Sequence, residues 1–559
     1  MSAGVVIGSG HMVDMPDRAK PRFPPDQVPR VTREVREALD AWGVGAETTV
    51  VTGGANGTDI VVAEECLARG ASSVVCLALP PDEFEQRSVA GREGDWPARF
   101  RALLEKSDVR VLPDPPPGDE VFARTNSWIV ETGSSLAEVA PHTLVVWNGQ
   151  EGDGPGGTRD FVHQLGLAGP APNVRVIDPT PRAYEARQRT EGPKRLLALD
   201  GGGIRGVLSL AILRELEQHL QQEHGDDLVL ADYFDYIAGT STGAIIATAL
   251  AFGKPVTEVQ EMYRTLGGKI FSKRLLPFRL RSIYRDGPLA RELESFYGPD
   301  RTLGDPELRS LLLLVLHNTG TDSPWPVSNC TRAKYNRADR YLKTPPDRNL
   351  DLALSPLVRA SAAAPVFFPP QEVEIGSNRF VFQDGGITPY NNPALILFLS
   401  ATLPEYGLAW PTGPDRLLLV SVGTGASAAV HPGLVARQVN LAFNAKNLAA
   451  VFMNGASTVQ DVLCRSLGLT VGGTEIDREF GSRIGADGVG GQSLFTYVRY
   501  NADLSEDGLR AEGVTDAGLR RSLRKLDSVD RIPDLEALGR KIGERADFTR
   551  ELAGFAPAV

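Results

Sequence analysis

Cysteine is scarce in this chain: four among 559 residues, Cys66, Cys76, Cys330 and Cys464, with no C-x-x-C pair. That scarcity argues against a disulfide framework or a thiolate zinc site, and it fits a reducing, cytoplasmic compartment. Histidine is nearly as rare, at seven residues, and no His/Cys/Asp/Glu cluster has ligand spacing, so neither metal nor cofactor is implied. Basic residues are in deficit. Lys and Arg number 59 against 70 Asp and Glu, a formal charge of −11, which argues against a general nucleic-acid binder because phosphate neutralisation needs Lys and Arg massed on one face. Long apolar runs are missing as well. No stretch approaches the roughly 20 residues of a membrane span, and no basic n-region with an apolar h-region opens the sequence, so lipid contact is expected to be peripheral at a membrane surface.

What is present is the composition of a folded protein, 42% hydrophobic and 23% charged, in a chain longer than one core usually serves. Two α/β patterns meet at a linker. Short apolar runs at 5–7, 49–52, 73–79, 143–147 and 174–177 alternate with helical periodicity at 31–42 and 60–69, as in a parallel sheet. Residues 179–194 are rich in proline and charge, which places a boundary near residue 190 between domains 1–190 and 191–559. The second pattern predicts strands at 195–199, 311–316, 380–382, 417–422 and 494–500. No internal repeat is visible, and oligomeric state is not specified.

The segment Gly239-Thr240-Ser241-Thr242-Gly243 follows the apolar stretch 234–238 and precedes a helical run. A serine at the tip of a sharp strand-to-helix turn needs flanking glycines, since strand and helix approach too closely for side chains. A plain glycine turn has the same local sequence, so neighbours must decide. Upstream, Asp200-Gly201-Gly202-Gly203-Ile204-Arg205-Gly206 links the predicted strand 195–199 to a helix at 207–218. Such a loop can offer backbone N–H groups to a tetrahedral oxyanion, although its spacing also suits a dinucleotide turn. Downstream, Asp384-Gly385-Gly386 supplies a carboxylate able to act as base, or an ordinary Asp-Gly turn. The block Ala360-Ser361-Ala362-Ala363-Ala364-Pro365, with Phe367 and Phe368, reads as a small-residue helix that packs under such a site.

In this order, these motifs resemble the patatin-like phospholipase family: D-G-G-G-x-R-G, G-x-S-x-G, A-S-x-A-A-P and D-G-G, over residues 195–425, with 526–546 similar to the family's closing helices. The resemblance implies a patatin-like three-layer α/β/α domain and a lipid acyl hydrolase with a Ser-Asp dyad. Ser241 is then the nucleophile, Asp384 the base, and Gly201, Gly202 and Gly203 the oxyanion donors. Arg205, Gly239, Gly243, Gly385 and Gly386 complete the motifs. A Ser-His-Asp esterase is the alternative, with His317 or His431 in the late position, and a non-catalytic nucleotide-binding scaffold is another.

The first domain carries glycine loops after its predicted strands: Gly8-Ser9-Gly10-His11, Gly53-Gly54-Ala55-Asn56-Gly57-Thr58-Asp59, and a third containing Gly156, Gly157 and Thr158. Loops at strand carboxyl ends suit phosphate groups, and His11, Asp14, Arg18 and Arg22 are candidate lining residues. The arrangement resembles the SLOG superfamily of Rossmann-like, nucleotide-sensing domains. The hydrolytic members' P-G-G-x-G-T-x-x-E signature is incomplete, with Thr52 for proline and Val61 for glutamate, so ligand binding is expected rather than hydrolysis. Fusion of such a domain to a lipase implies a nucleotide-derived ligand regulating a lipid-degrading effector, an arrangement like those of bacterial anti-phage defence. Finally, Lys269 to Arg285 holds six basic residues among large apolar ones, which fits contact with an anionic membrane or a buried connecting segment.

Overall fold

Strands rich in Val, Leu and Ile that are buried on both faces build the scaffold of this protein, described here from a computed structural model. The structure describes residues 4–16, 18, 21–149, 156–165, 172–180, 182–189, 191–270, 287–336, 348–365, 367–426 and 441–557. These divide into two compact units, with the change between Pro181 and Arg182.

The first unit is a six-stranded parallel sheet of β1 (Gly4–Gly10), β2 (Thr48–Thr52), β3 (Ser72–Leu77), β4 (Asp108–Val111), β5 (His142–Val146) and β6 (Val174–Ile177), in the order β4-β3-β2-β1-β5-β6. Chain order runs outward from β1 to β4 on one side and resumes with β5 on the other. The carboxyl ends of β1 and β5 therefore frame the topological switch point, where open α/β sheets form a crevice. Strand β4 was not legible in the sequence. It is a four-residue edge strand whose Asp108 and Arg110 pair with each other in solvent, so it lacks an apolar run.

The second unit holds nine strands: β7 (Lys194–Leu199), β8 (Tyr236–Thr240), β9 (Leu311–Asn318), β10 (Ser323–Ser328), β11 (Gln371–Ile375), β12 (Asn378–Asp384), β13 (Leu417–Val422), β14 (Leu469–Gly472) and β15 (Thr496–Tyr500). The order is β11-β12-β9-β8-β7-β13-β15-β14, with β10 on β9; β10, β11 and β12 pair antiparallel and the rest parallel. Every residue of β7, β8 and β13 is buried, as a sheet covered by helices on both faces requires. The expected two-domain α/β architecture is thus observed, with a mixed rather than wholly parallel second sheet. The stretch read as a linker contains a 3-10 turn, Ala183–Gln188, whose Tyr184 is fully buried in the second unit's core. Among the described residues no helix is long and apolar enough to cross a membrane, and all four cysteines are free and buried.

Candidate active site

The registry of β9 brings serine and aspartate together. Strand β8 runs parallel to β9 and ends with Thr240 opposite Val315, while β12 runs antiparallel and ends with Asp384 opposite Leu316. Because β10 occupies the other edge of β9 over Leu313–Asn318, β8 and β12 share one edge and meet almost end to end. The residue after β8 is Ser241, and its hydroxyl donates to Asp384 Oδ2 at 2.6 Å.

The elbow geometry follows from glycine. Ser241 has φ 55° and ψ −121°, a conformation that costs about 1–3 kcal/mol and persists only where neighbours enforce it. A Cβ on Gly239 would overlap the Gly243 carbonyl, and one on Gly243 would overlap the Leu199 carbonyl, so strand, helix and β7 close in to backbone distance. Ser361 fixes the turn from below. Its hydroxyl accepts the Ser241 N–H at 2.9 Å and donates to the Val315 carbonyl at 2.7 Å. The helix Leu354–Ser361 ends at this residue, and Ala363 then accepts the Asp384 N–H, so the A-S-x-A-A-P block anchors both reactive segments.

Asp384 is buried, and desolvation pushes its carboxyl up to about 7 against the opposing bonds from the Ser241 hydroxyl and the Gly386 N–H. The latter bond, 2.7 Å to Oδ1, leaves Oδ2 directed at the serine. A carboxylate poised near neutrality is suited to accept a proton. Among the described residues no histidine lines the cavity at Ser241. His317 sits on β9 opposite Gln383, so it faces away from Asp384, and its Nε2 lies 3.1 Å from Asp322. His431 lies outside the described residues.

The glycine loop after β7 crosses above the serine. The Gly201 N–H donates to the Asn391 carbonyl, so it is not directed at the serine, a correction to the expected set of three donors. Among the described residues the N–H groups of Gly202 and Gly203 have no such partner. Thr424 donates to the Gly201 carbonyl, and a Cβ on Gly202 would overlap its side chain. Asp200, at the root of the loop, is gripped by both guanidinium nitrogens of Arg499 at 3.1 and 2.6 Å, and Arg499 in turn lies 3.7 Å from Asp461. Arg205 is buried, and desolvation brings its guanidinium down to about 10.

An apolar cavity of about 110 Å³ opens over Ser241, bounded by Ile245, Met262, Leu289, Leu293, Phe368 and Met453. Sequence reasoning missed Met453, Arg499, Asp461 and Thr424. They belong to no local motif and reach the site only through β15, the helix Leu441–Leu467 and the turn after β13. Ser361, by contrast, stood within the quoted A-S-x-A-A-P block. Of Lys269 to Arg285, side chains through Ile270 and everything from Phe271 lie outside the described residues.

In the first unit, His11 follows β1 and bonds Asn148, just past β5, at 2.9 Å and Thr158 at 3.1 Å. Burial lowers its imidazole pKa. The loop from Gly53 is turned inward. Its Ala55 and Gly53 N–H groups and the Ser9 hydroxyl go to Asp59, whose carboxyl burial raises to about 7; Asn56 donates to Ser88 and Thr58 to the His11 carbonyl. That loop's own carboxylate thus stands where an anion would sit, which departs from the expectation of an open phosphate cradle at Gly53, Gly54, Gly57 and Thr58. Gly8, Gly10 and Gly156 serve close approach, to Val62, Val146 and Phe122 respectively. Asp14 closes its loop by accepting the Arg22 and Phe23 N–H groups.

Comparison with known proteins finds a family match that spans the site. The family described as patatin-like phospholipase matches residues 197–398. A cGAMP-activated phospholipase of Vibrio cholerae is 32% identical over 231 residues, covering 39% of this chain and 59% of the relative. Patatin-like protein 1 of Arabidopsis thaliana is 31% identical over 258 residues, 42% of this chain and 59% of the relative. A cGAMP-activated phospholipase of Escherichia coli is 30% identical over 255 residues, 44% and 66%. The chain thus spans less than two thirds of the length of each of these curated relatives. Ser241, Asp384 and the glycine loop all lie within the stretch, residues 197–398, that matches the family described as patatin-like phospholipase.

Proposed function

We propose that the protein is a lipid acyl hydrolase of phospholipase A type working through a Ser241–Asp384 dyad. The observation that carries this reading is the 2.6 Å bond between a serine at positive φ and a buried aspartate, beneath an apolar cavity. Asp384 takes the serine proton as Oγ attacks the ester carbonyl, and the oxyanion forms under the Gly202 and Gly203 N–H groups. Collapse expels the lyso-lipid alkoxide, which receives the proton from Asp384. Water, deprotonated by the same carboxylate, then releases the fatty acid and restores Ser241. The test is fatty-acid release from mixed phospholipid vesicles. Wild type should release it and Ser241→Ala should not; equal release by both would sink the assignment.

We further propose that the first unit is a SLOG-like sensor and that a nucleotide-derived ligand regulates the hydrolase, as part of bacterial anti-phage defence. Support comes from the names of the Vibrio and Escherichia relatives and from the hydrogen-bonded polar cluster of His11, Asn148 and Thr158 at the switch point of the first sheet. Adding cGAMP or a cell-derived nucleotide extract to purified protein should raise the hydrolysis rate, and an unchanged rate with both would end the sensor reading. Phage should plate less well on cells carrying wild type than on cells carrying Ser241→Ala; equal plating would remove the defence role. Peripheral contact through Lys269 to Arg285 belongs to the same proposal, on the ground of its basic and apolar composition.

A further inference from the structure

The helix Leu441–Leu467 has no charged residue from Asn447 to Gln460, and the Asp461 and Arg465 that follow are bonded to each other. Helical periodicity sorts its described residues onto two faces. On the inner face, Met453 lines the cavity at Ser241, Ser457 accepts a bond from Asn391, and Asp461 and Cys464 are buried. On the opposite face, Phe452, Val459 and Leu463 stand at i, i+7 and i+11 and remain 61%, 54% and 38% exposed, with Val451 beside them at 60%. A continuous apolar stripe of about 16 Å on a helix calls for an occupant.

We propose that this outer face is a docking surface for a zwitterionic phospholipid bilayer. The inference rests on the acyl-hydrolase reading of the Ser241 site. Proximity is the first argument: the helix that carries the stripe also carries Met453, which lines the cavity at Ser241, so a bilayer docked here lies one helix away from that cavity. Charge is the second. With no cationic side chain on the stripe, anionic headgroups gain nothing there, and binding comes from apolar insertion. Extent is the third, because a specific protein interface buries roughly 800 Å² per partner and the four exposed apolar side chains among the described residues of this helix fall well short of that.

The experiment uses full-length Ser241→Ala protein, so that docking is read without hydrolysis, floated with vesicles of pure phosphatidylcholine. It should float, with no loss in high salt, and Phe452→Glu/Val459→Glu in that background should bind about 10-fold less. In the active protein the same pair should cut vesicle hydrolysis comparably, while hydrolysis of a soluble short-chain p-nitrophenyl ester stays within about 2-fold. The milder Phe452→Ser, with its melting temperature checked against wild type, guards against a folding defect and should give the same split to a smaller degree. Undiminished flotation of the Glu pair overturns the proposal. So does binding that requires anionic lipid, which points to the basic segment, or a change in sedimentation without a change in vesicle binding, which points to a second copy of the chain. So does loss of soluble-ester hydrolysis alongside vesicle hydrolysis in both variants. Absence of any ester hydrolysis by wild type would instead sink the hydrolase reading, with flotation still reporting on the surface.

Discussion

With Asp384 as the proposed base, its ionisation should set the pH behaviour. Its carboxyl is raised to about 7 by burial, so kcat/KM should climb as pH rises through about 7 and level off above, when the base is ionised. A pH–rate profile checks this, and Asp384→Asn should lower kcat by about 100-fold or more. The same shift has a stability consequence of opposite sense. Between the ordinary carboxylate range and about 7 the folded protein keeps a proton that the unfolded chain has lost, so stability falls as pH rises across that window and is flat beyond it. Asp384→Asn should remove part of that slope in urea denaturation series, and Asp59→Asn should do likewise in the first unit.

At the scale of elements, the site is a convergence of strand ends held by side chains of other segments. Ser361 is a positioning residue: it holds the Ser241 N–H and the Val315 carbonyl and does not line the cavity. Ser361→Ala strands a buried donor at a cost of about 1–3 kcal/mol, and kcat should fall about 10-fold with KM little changed. Steady-state kinetics on a soluble ester separate the two. The Asp200–Arg499 pair anchors the glycine loop to β15, and both side chains are buried. Arg499→Met leaves an uncompensated carboxylate, so a loss of about 3–5 kcal/mol is expected in denaturant titration of the second unit.

At the scale of the whole molecule, the two units have separate hydrophobic cores, one built around β7, β8 and β13 and the other around the first sheet. Calorimetry should accordingly resolve two transitions. A ligand of the first unit should raise that unit's transition, by about 2.7 kcal/mol at a hundredfold excess over Kd. Movement of the other transition alone would place the ligand in the hydrolase.

The glycine spacing and apolar runs marked the two α/β patterns and the turn at Ser241, because a backbone approaching to contact distance imposes its residue types locally, whereas Asp384 entered as base only through the resemblance of the ordered motifs to a known family. Only the tertiary structure decided which loop donors are free. Gly201 is bonded to Asn391, and the inviting Gly53 loop is filled by Asp59, since a hydrogen-bond partner distant in sequence leaves no trace in spacing. It also decided that β9 brings the ends of β8 and β12 together, that Arg499 lies under the glycine loop, and that Val451, Phe452, Val459 and Leu463 stay exposed. These depend on register and packing between segments up to hundreds of residues apart, which no local pattern encodes.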